Sequence, residues 1–194
     1  MKFYGATAAL LLVWLGALIW GGAAAPVDQW ISSALYLGEG ASAAPVWVAV
    51  TELGGWKILL GIAVLAWLYL MMRRRTRDAL FLLGMVIGVR ALVEGQKLIF
   101  ARPRPEVAHL AEVSSYSFPS GHSANALATY LTLGLIFSAR LPVMIVLAVL
   151  VCFIGLSRVV LGVHWPSDVI GGWALAALCL VVARRNWRTA GHGK

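Results

Sequence analysis

The chain has 194 residues, of which 61% are hydrophobic and 12% charged, with a formal net charge of +8. A soluble core of this length cannot conceal that much apolar surface, so a water-soluble globular protein is excluded and lipid becomes the solvent for much of the chain. The positive charge does not indicate a nucleic-acid partner, because the basic residues form neither a continuous face nor an aromatic-interleaved groove and gather in short connectors instead.

Apolar runs near the roughly 20 residues that cross a bilayer of about 30 Å fall at 7–25, 54–72, 79–100, 123–139, 142–160 and 169–183. They predict an all-α, polytopic bundle of six transmembrane helices. The first run ends in Gly-Ala-Ala-Ala-Pro and resembles a secretory signal with a small-residue cleavage site, but its apolar part is longer than such signals carry; it is read as a genuine span. No internal repeat or long linker divides the chain, so 1–194 is read as one domain. Cys152 and Cys179 both lie in apolar runs and are read as core filler.

Lys2, the run Arg73-Arg74-Arg75-Thr76-Arg77, Arg140, Arg184, Arg185 and Arg188 share one side if the spans alternate, which places both termini in the cytoplasm. The opposite, external side receives 26–53, 101–122 and 161–168. The first of these connectors carries Asp28, Glu39 and Glu52 without a base. Trp30, Ile31, Ala34 and Leu35 recur there at helical spacing, as in a short interfacial helix serving as scaffold or substrate rim. The other two break the rule: Arg102, Arg104, His109, His122, His164 and Asp168 lie where translocated connectors are normally poor in positive charge.

The third span carries Arg90, Glu94 and Lys97 on one helical face. Arg90 and Glu94 are read as neutralising each other, while Lys97 either snorkels to the interface or meets a ligand. Beyond it, Arg-Pro-Arg-Pro holds two guanidinium groups on a stiff, extended backbone, a suitable donor set for phosphate oxygens. Phe-Pro-Ser-Gly-His-Ser then opens the fourth span. Pro119 presets the backbone and Gly121 admits close approach, so the free N–H groups of the first turn, with Ser120 and His122, form an anion site. Ordinary capping by Ser120 and Ser123 accounts for the same hexapeptide equally well.

The third station is Ser157-Arg158 followed by His164-Trp-Pro-Ser-Asp168. A carboxylate four residues beyond a histidine can bond one ring nitrogen and free the other as a nucleophile. Asp168 could equally serve the helix dipole, with His164 resting at the interface. Each station alone is ambiguous, but all three share one membrane face.

These residues resemble the PAP2-type phosphatases, membrane lipid-phosphate phosphatases whose site is similar to that of vanadate-dependent haloperoxidases. Lys-x6-Arg-Pro is met by Lys97 with Arg104 and Pro105, Pro-Ser-Gly-His by 119–122, and Ser-Arg-x5-His-x3-Asp by Ser157, Arg158, His164 and Asp168. The motifs lie within 97–168.

The resemblance implies His164 as nucleophile oriented by Asp168, with His122 as proton donor and acceptor. It implies Lys97, Arg104, Ser120, Gly121 and Arg158 around the phosphate. The second Arg-Pro register leaves Arg102 as an auxiliary. No metal or cofactor is implied, and a bell-shaped pH dependence near neutrality is expected.

The expected partners are the bilayer and a lipid phosphate at the periplasmic face of a bacterial inner membrane. Undecaprenyl diphosphate is preferred over phosphatidylglycerophosphate, phosphatidate or a lipid A phosphate. Oligomeric state is not set by the sequence. A competing class is an anion or lipid-headgroup transporter, which needs the cations but no oriented nucleophile. Lys57 is read as snorkelling, and His109 and His192 receive no role.

Overall fold

A computed structural model describes residues 2–113, 115–138 and 140–189, and among these the regular structure is entirely helical. The helices are α1 (Lys2–Ile19), α2 (Pro26–Leu35), α3 (Ala44–Glu52), α4 (Trp56–Met72), α5 (Thr76–Phe100), α6 (Gly121–Phe137), α7 (Leu141–Val160) and α8 (Pro166–Thr189). His192 and the side chains of Lys2 and Arg188 lie outside the described residues.

Helix boundaries follow local chemistry. The first apolar run stops being helical at Ile19, earlier than its hydrophobicity implies, because Gly22 takes φ +96° and turns the chain. Prolines sit in the first turns of α2, α3 and α7, where a missing N–H costs nothing. Helix α5 ends at Ala101, a left-handed residue with φ +44° whose N–H returns to the Lys97 carbonyl at 3.0 Å. Pro103 and Pro105 then prevent continuation. Ser120 caps α6 with its side chain, accepting from Ser123 N–H.

The interhelical core runs along α5 through Leu82, Met85, Val89 and Val93 and meets Ala124 and Ala128 of α6, Ile154 of α7 and Ala176 of α8. Small residues on α6 and α8 let the backbones approach, which is how helices associate when lipid removes the usual hydrophobic driving force. At Gly172 a Cβ would stand 2.7 Å from the Ser120 carbonyl. The start of α6 is thereby pressed onto α8, and Ser120 N–H donates to the Asp168 carbonyl at 3.0 Å.

Outward faces carry Leu65, Leu80, Ile145 and Val146, as expected of a protein solvated by hydrocarbon. Three helical stretches, Ala44–Met72, Leu141–Val160 and Pro166–Arg185, are long and apolar enough to cross a membrane. The expected six are not all matched by this measure. Helix α5 has the length but carries Arg90, Glu94 and Lys97, while α6 has 17 residues.

Helix α3 was not among the predicted elements, and it joins α4 through Gly54 and Gly55. The cysteine reading needs correction at one position: Cys179 packs against the core, whereas Cys152 is exposed on α7. A lipid-facing position and a core position are equally apolar, so sequence alone does not separate them.

Candidate active site

The end of α5, the connector 101–120, the start of α6, the end of α7 and the start of α8 meet at one end of the bundle. The centre of this meeting is His164, which is 2% exposed and lies between α7 and α8. Its Nδ1 is 3.4 Å from Asp168 Oδ2 and 3.3 Å from Ser117 Oγ. Its Nε2 is 3.2 Å from an Arg104 Nη1. A guanidinium only donates, so Nε2 must be the accepting nitrogen and Nδ1 carries the proton. Burial, followed by the charges of Arg104, Arg158 and Lys97, holds the imidazole well below its ordinary pKa of 6.5. The ring is therefore neutral near pH 7, with its lone pair turned toward the cations.

Asp168 is fully buried in the first turn of α8 and uses both oxygens. Oδ2 accepts from Trp165 N–H at 2.9 Å and from the Ser117 hydroxyl, besides facing His164. Oδ1 accepts from Arg102 Nη1 at 2.9 Å. The remaining donors of Arg102 reach Ser167 Oγ and the carbonyls of Ala17 and Leu18, and its guanidinium lies over the Phe118 ring. Arg102 is thus turned away from the cluster at His164 and toward the end of α1, which does not fit an auxiliary phosphate contact.

Asp28 extends this framework from α2. Its carboxylate accepts from Gly22 N–H at 2.6 Å, from Ser167 N–H at 3.0 Å and from the Ser167 hydroxyl. A carboxylate at the N-terminus of α8 satisfies otherwise unpaired donors and complements the helix dipole.

The other cations converge from separate elements. Arg104 is fixed by the carbonyls of Ser115, Tyr116 and Val163. Lys97 is nearly buried; its Nζ bonds Ser115 Oγ at 2.9 Å, pairs with Glu94 at 3.7 Å and lies 3.7 Å from where a Cβ on Gly121 would be. Arg158, 3% exposed, donates to Thr51 Oγ1 of α3 at 2.7 Å and keeps a buried Nε without a protein partner. His122 lies in the first turn of α6, its Cδ2 3.4 Å from where a Cβ on Gly54 would stand. Ser120 Oγ accepts from both the N–H and the hydroxyl of Ser123, which leaves its own proton for another acceptor.

The expected neutralisation of Arg90 by Glu94 is not observed. Glu94 turns to Lys97, and Arg90 lies over the Trp56 ring. His109 bonds the Pro105 carbonyl within the connector 101–120. Sequence reading missed Ser117, Thr51, Asp28 and Ser115. Serines and threonines are too common to stand out, and only the fold brings Ser115, Ser117 and Thr51 to charged partners and Asp28 to the start of α8.

One neutral, oriented imidazole facing three fixed cations is a site for an anionic, electrophilic centre. Residues 78–191 match the PAP2 superfamily. The chain belongs to that superfamily. Its motifs at Lys97–Pro105, Pro119–His122 and Ser157–Asp168 are thus motifs of an established relationship, and this PAP2 protein is a lipid phosphate hydrolase of the membrane.

Phosphatidylglycerophosphatase B of Bacillus subtilis strain 168 is 34% identical over 184 residues, 90% of each chain. An undecaprenyl-diphosphatase of Sulfolobus acidocaldarius is 36% identical over 60% of this chain and 58% of its own. The crystal structure of the transmembrane PAP2-type phosphatidylglycerolphosphate phosphatase from Bacillus subtilis superposes with TM-score 0.87 at 31% identity, covering 97% of this chain and 98% of that one. Aquifex aeolicus LpxE shares the fold, with TM-score 0.70 at 22% identity over 86% and 98% of the two chains.

Proposed function

We propose that this PAP2 protein removes the terminal phosphate of a membrane lipid at the external face of a bacterial inner membrane. In this reading the whole chain, 1–194, is one six-span domain with both termini in the cytoplasm. The lipid tail stays in the bilayer while the headgroup enters the cluster formed by Lys97, Arg104 and Arg158, with the Ser120 hydroxyl and the Gly121 N–H.

His164 Nε2 attacks phosphorus as the bond to the lipid oxygen breaks, and His122 supplies the proton that the departing oxygen takes. Water then attacks the phosphohistidine, giving its proton to His122, and inorganic phosphate leaves with His164 restored. Asp168 holds the Nδ1 proton throughout and stabilises the charge that develops on the ring. The observation that carries this reading is His164 Nε2 at 3.2 Å from Arg104, with the charges of Arg158 and Lys97 also bearing on the ring and Nδ1 facing Asp168 at 3.4 Å.

The likeness to the Bacillus phosphatidylglycerophosphatase over nine-tenths of both chains supports phosphatidylglycerophosphate as substrate. Undecaprenyl diphosphate is the second reading, supported by the shorter match to the Sulfolobus enzyme and suited to the external placement proposed here.

The test is phosphate release from both lipids by purified wild type and His164→Ala. Wild type should release phosphate and form an acid-labile phosphoprotein. His164→Ala should lose at least about 10³-fold in rate while still binding lipid. Undiminished lipid movement by His164→Ala, with no phosphate release by wild type, would establish a transporter instead.

A further inference from the structure

Directly membrane-ward of the catalytic cluster, a cavity of about 180 Å³ opens among α4, α5 and α6, lined by Trp56, Leu60, Val86, Arg90, Asn125 and Thr129. Its walls are apolar, yet three polar groups share it. Thr129 is 1% exposed, and its Oγ1 finds no protein partner; neither does the buried Asn125 Oδ1. Arg90 makes no hydrogen bond or ion pair among the described residues, and its guanidinium stands 5.7 Å from the Trp56 ring centroid. Arg90 is exposed at the rim of the cavity, whereas the Thr129 and Asn125 oxygens are buried; buried polar atoms without a partner are costly, and they persist where a ligand completes them.

The cavity is continuous with the phosphate site in register. Arg90 lies two turns below Lys97 on α5, about 10 Å along the axis. Asn125 lies one turn below Gly121 on α6, with its Nδ2 3.8 Å from the position of a Gly121 Cβ, beside which the Lys97 ammonium also sits. A lipid whose terminal phosphate meets Lys97 can therefore set its next polar group in this cavity.

The geometry points to a second anion subsite here: Arg90, assisted by Asn125 and Thr129, binds the inner phosphodiester of a glycerophospholipid whose headgroup ends in a phosphate monoester. This inference rests on the proposed reading of the Lys97, Arg104 and Arg158 cluster as the site of the scissile phosphate. In such a lipid a three-carbon linker separates the two phosphorus atoms, which suits cations spaced by two helical turns. A diphosphate joins its phosphorus atoms through one oxygen and is too short to reach both. Phosphatidate carries no second anion. The subsite would therefore select phosphatidylglycerophosphate from among lipid phosphates.

The experiment compares kcat/KM for phosphatidylglycerophosphate, phosphatidate and undecaprenyl diphosphate in mixed micelles, using wild type, Arg90→Gln and Arg90→Lys. Removing a charge-assisted contact should lower the preference for phosphatidylglycerophosphate over phosphatidate by about 10 to 100-fold in Arg90→Gln. Arg90→Lys should retain part of that preference.

A parallel titration uses dioleoylphosphatidylglycerol, which keeps the diester and lacks the scissile group. It should bind His164→Ala and bind the double variant with Arg90→Gln at least tenfold more weakly. An equal fall on all three substrates, or no change in the ratio, overturns the subsite, as does equal phosphatidylglycerol binding by the two proteins. Wild type that releases no phosphate from any of the lipids defeats the catalytic reading instead, and the titration then still decides the subsite.

Discussion

Arg102 and Asp168 form a buried ion pair, 2.9 Å between Nη1 and Oδ1, and the arginine's other donors are taken by Ser167 and by two carbonyls at the end of α1. This arginine holds Asp168 and is turned toward the end of α1. Removing one partner of a buried pair typically costs about 3 to 5 kcal/mol, so Arg102→Ala should melt well below wild type in detergent and lose turnover with it. Arg102→Lys should fall between. Arg104→Ala should instead lose turnover with a much smaller shift in melting, because Arg104 is less deeply buried and the Arg102 framework stays intact. A normal melting curve for Arg102→Ala would reassign that arginine to substrate binding.

Asp168→Asn preserves volume but lets the side chain present an N–H toward His164 Nδ1 and Ser117, which favours the wrong tautomer. A loss of about 10⁴-fold in kcat is expected by analogy with other oriented imidazoles. Ser117→Ala removes one of the three donors to Asp168 Oδ2 and should cost about tenfold. Rates for Asp168→Asn within tenfold of wild type would mean that His164 does not depend on its carboxylate.

Acid should destabilise the protein through His164. Its folded pKa lies well below 6.5, so as pH falls past the unfolded value the unfolded chain takes up a proton that the folded chain refuses. Stability contributed by the neutral ring is complete above that value and declines below it, by up to about 1.4 kcal/mol per pH unit. Melting temperatures between about pH 7.5 and 5 should fall more steeply in wild type than in His164→Asn. Parallel slopes would show that His164 titrates normally.

Hydrolysis should be insensitive to chelators, because Lys97, Arg104 and Arg158 supply the charge that would otherwise come from a divalent ion. The assay is phosphate release before and after EDTA, with magnesium added back. Activity lost to EDTA and restored by magnesium would require a different arrangement of the phosphate.

Much of this was legible in the sequence because charge in an apolar chain is conspicuous. Lys97, Arg104, Arg158, His122, His164 and Asp168 stand out against lipid-facing neighbours, and proline and glycine mark the connector that gathers them. What escaped was partnership. Arg102 and Arg104 are chemically identical and two positions apart, a spacing that would put both on one side of a regular extended strand, and only the fold shows that one meets α1 and the other His164. The pairing of Arg90 with Glu94 followed from helical spacing, but Lys97 competes for the same carboxylate from the next turn. Helix α3 was hidden because residues 44–52 merge in hydropathy with the span that follows.

The junction of α1, α2 and α8 through Arg102, Ser167 and Asp28 bears on biogenesis. The loop arginine takes carbonyls from α1 and a carboxylate from α8, so the support of His164 stays incomplete until α8 has been made and docks on α1. A nascent chain would remain inert, and hydrolysis would begin only once α1 and α8 are side by side.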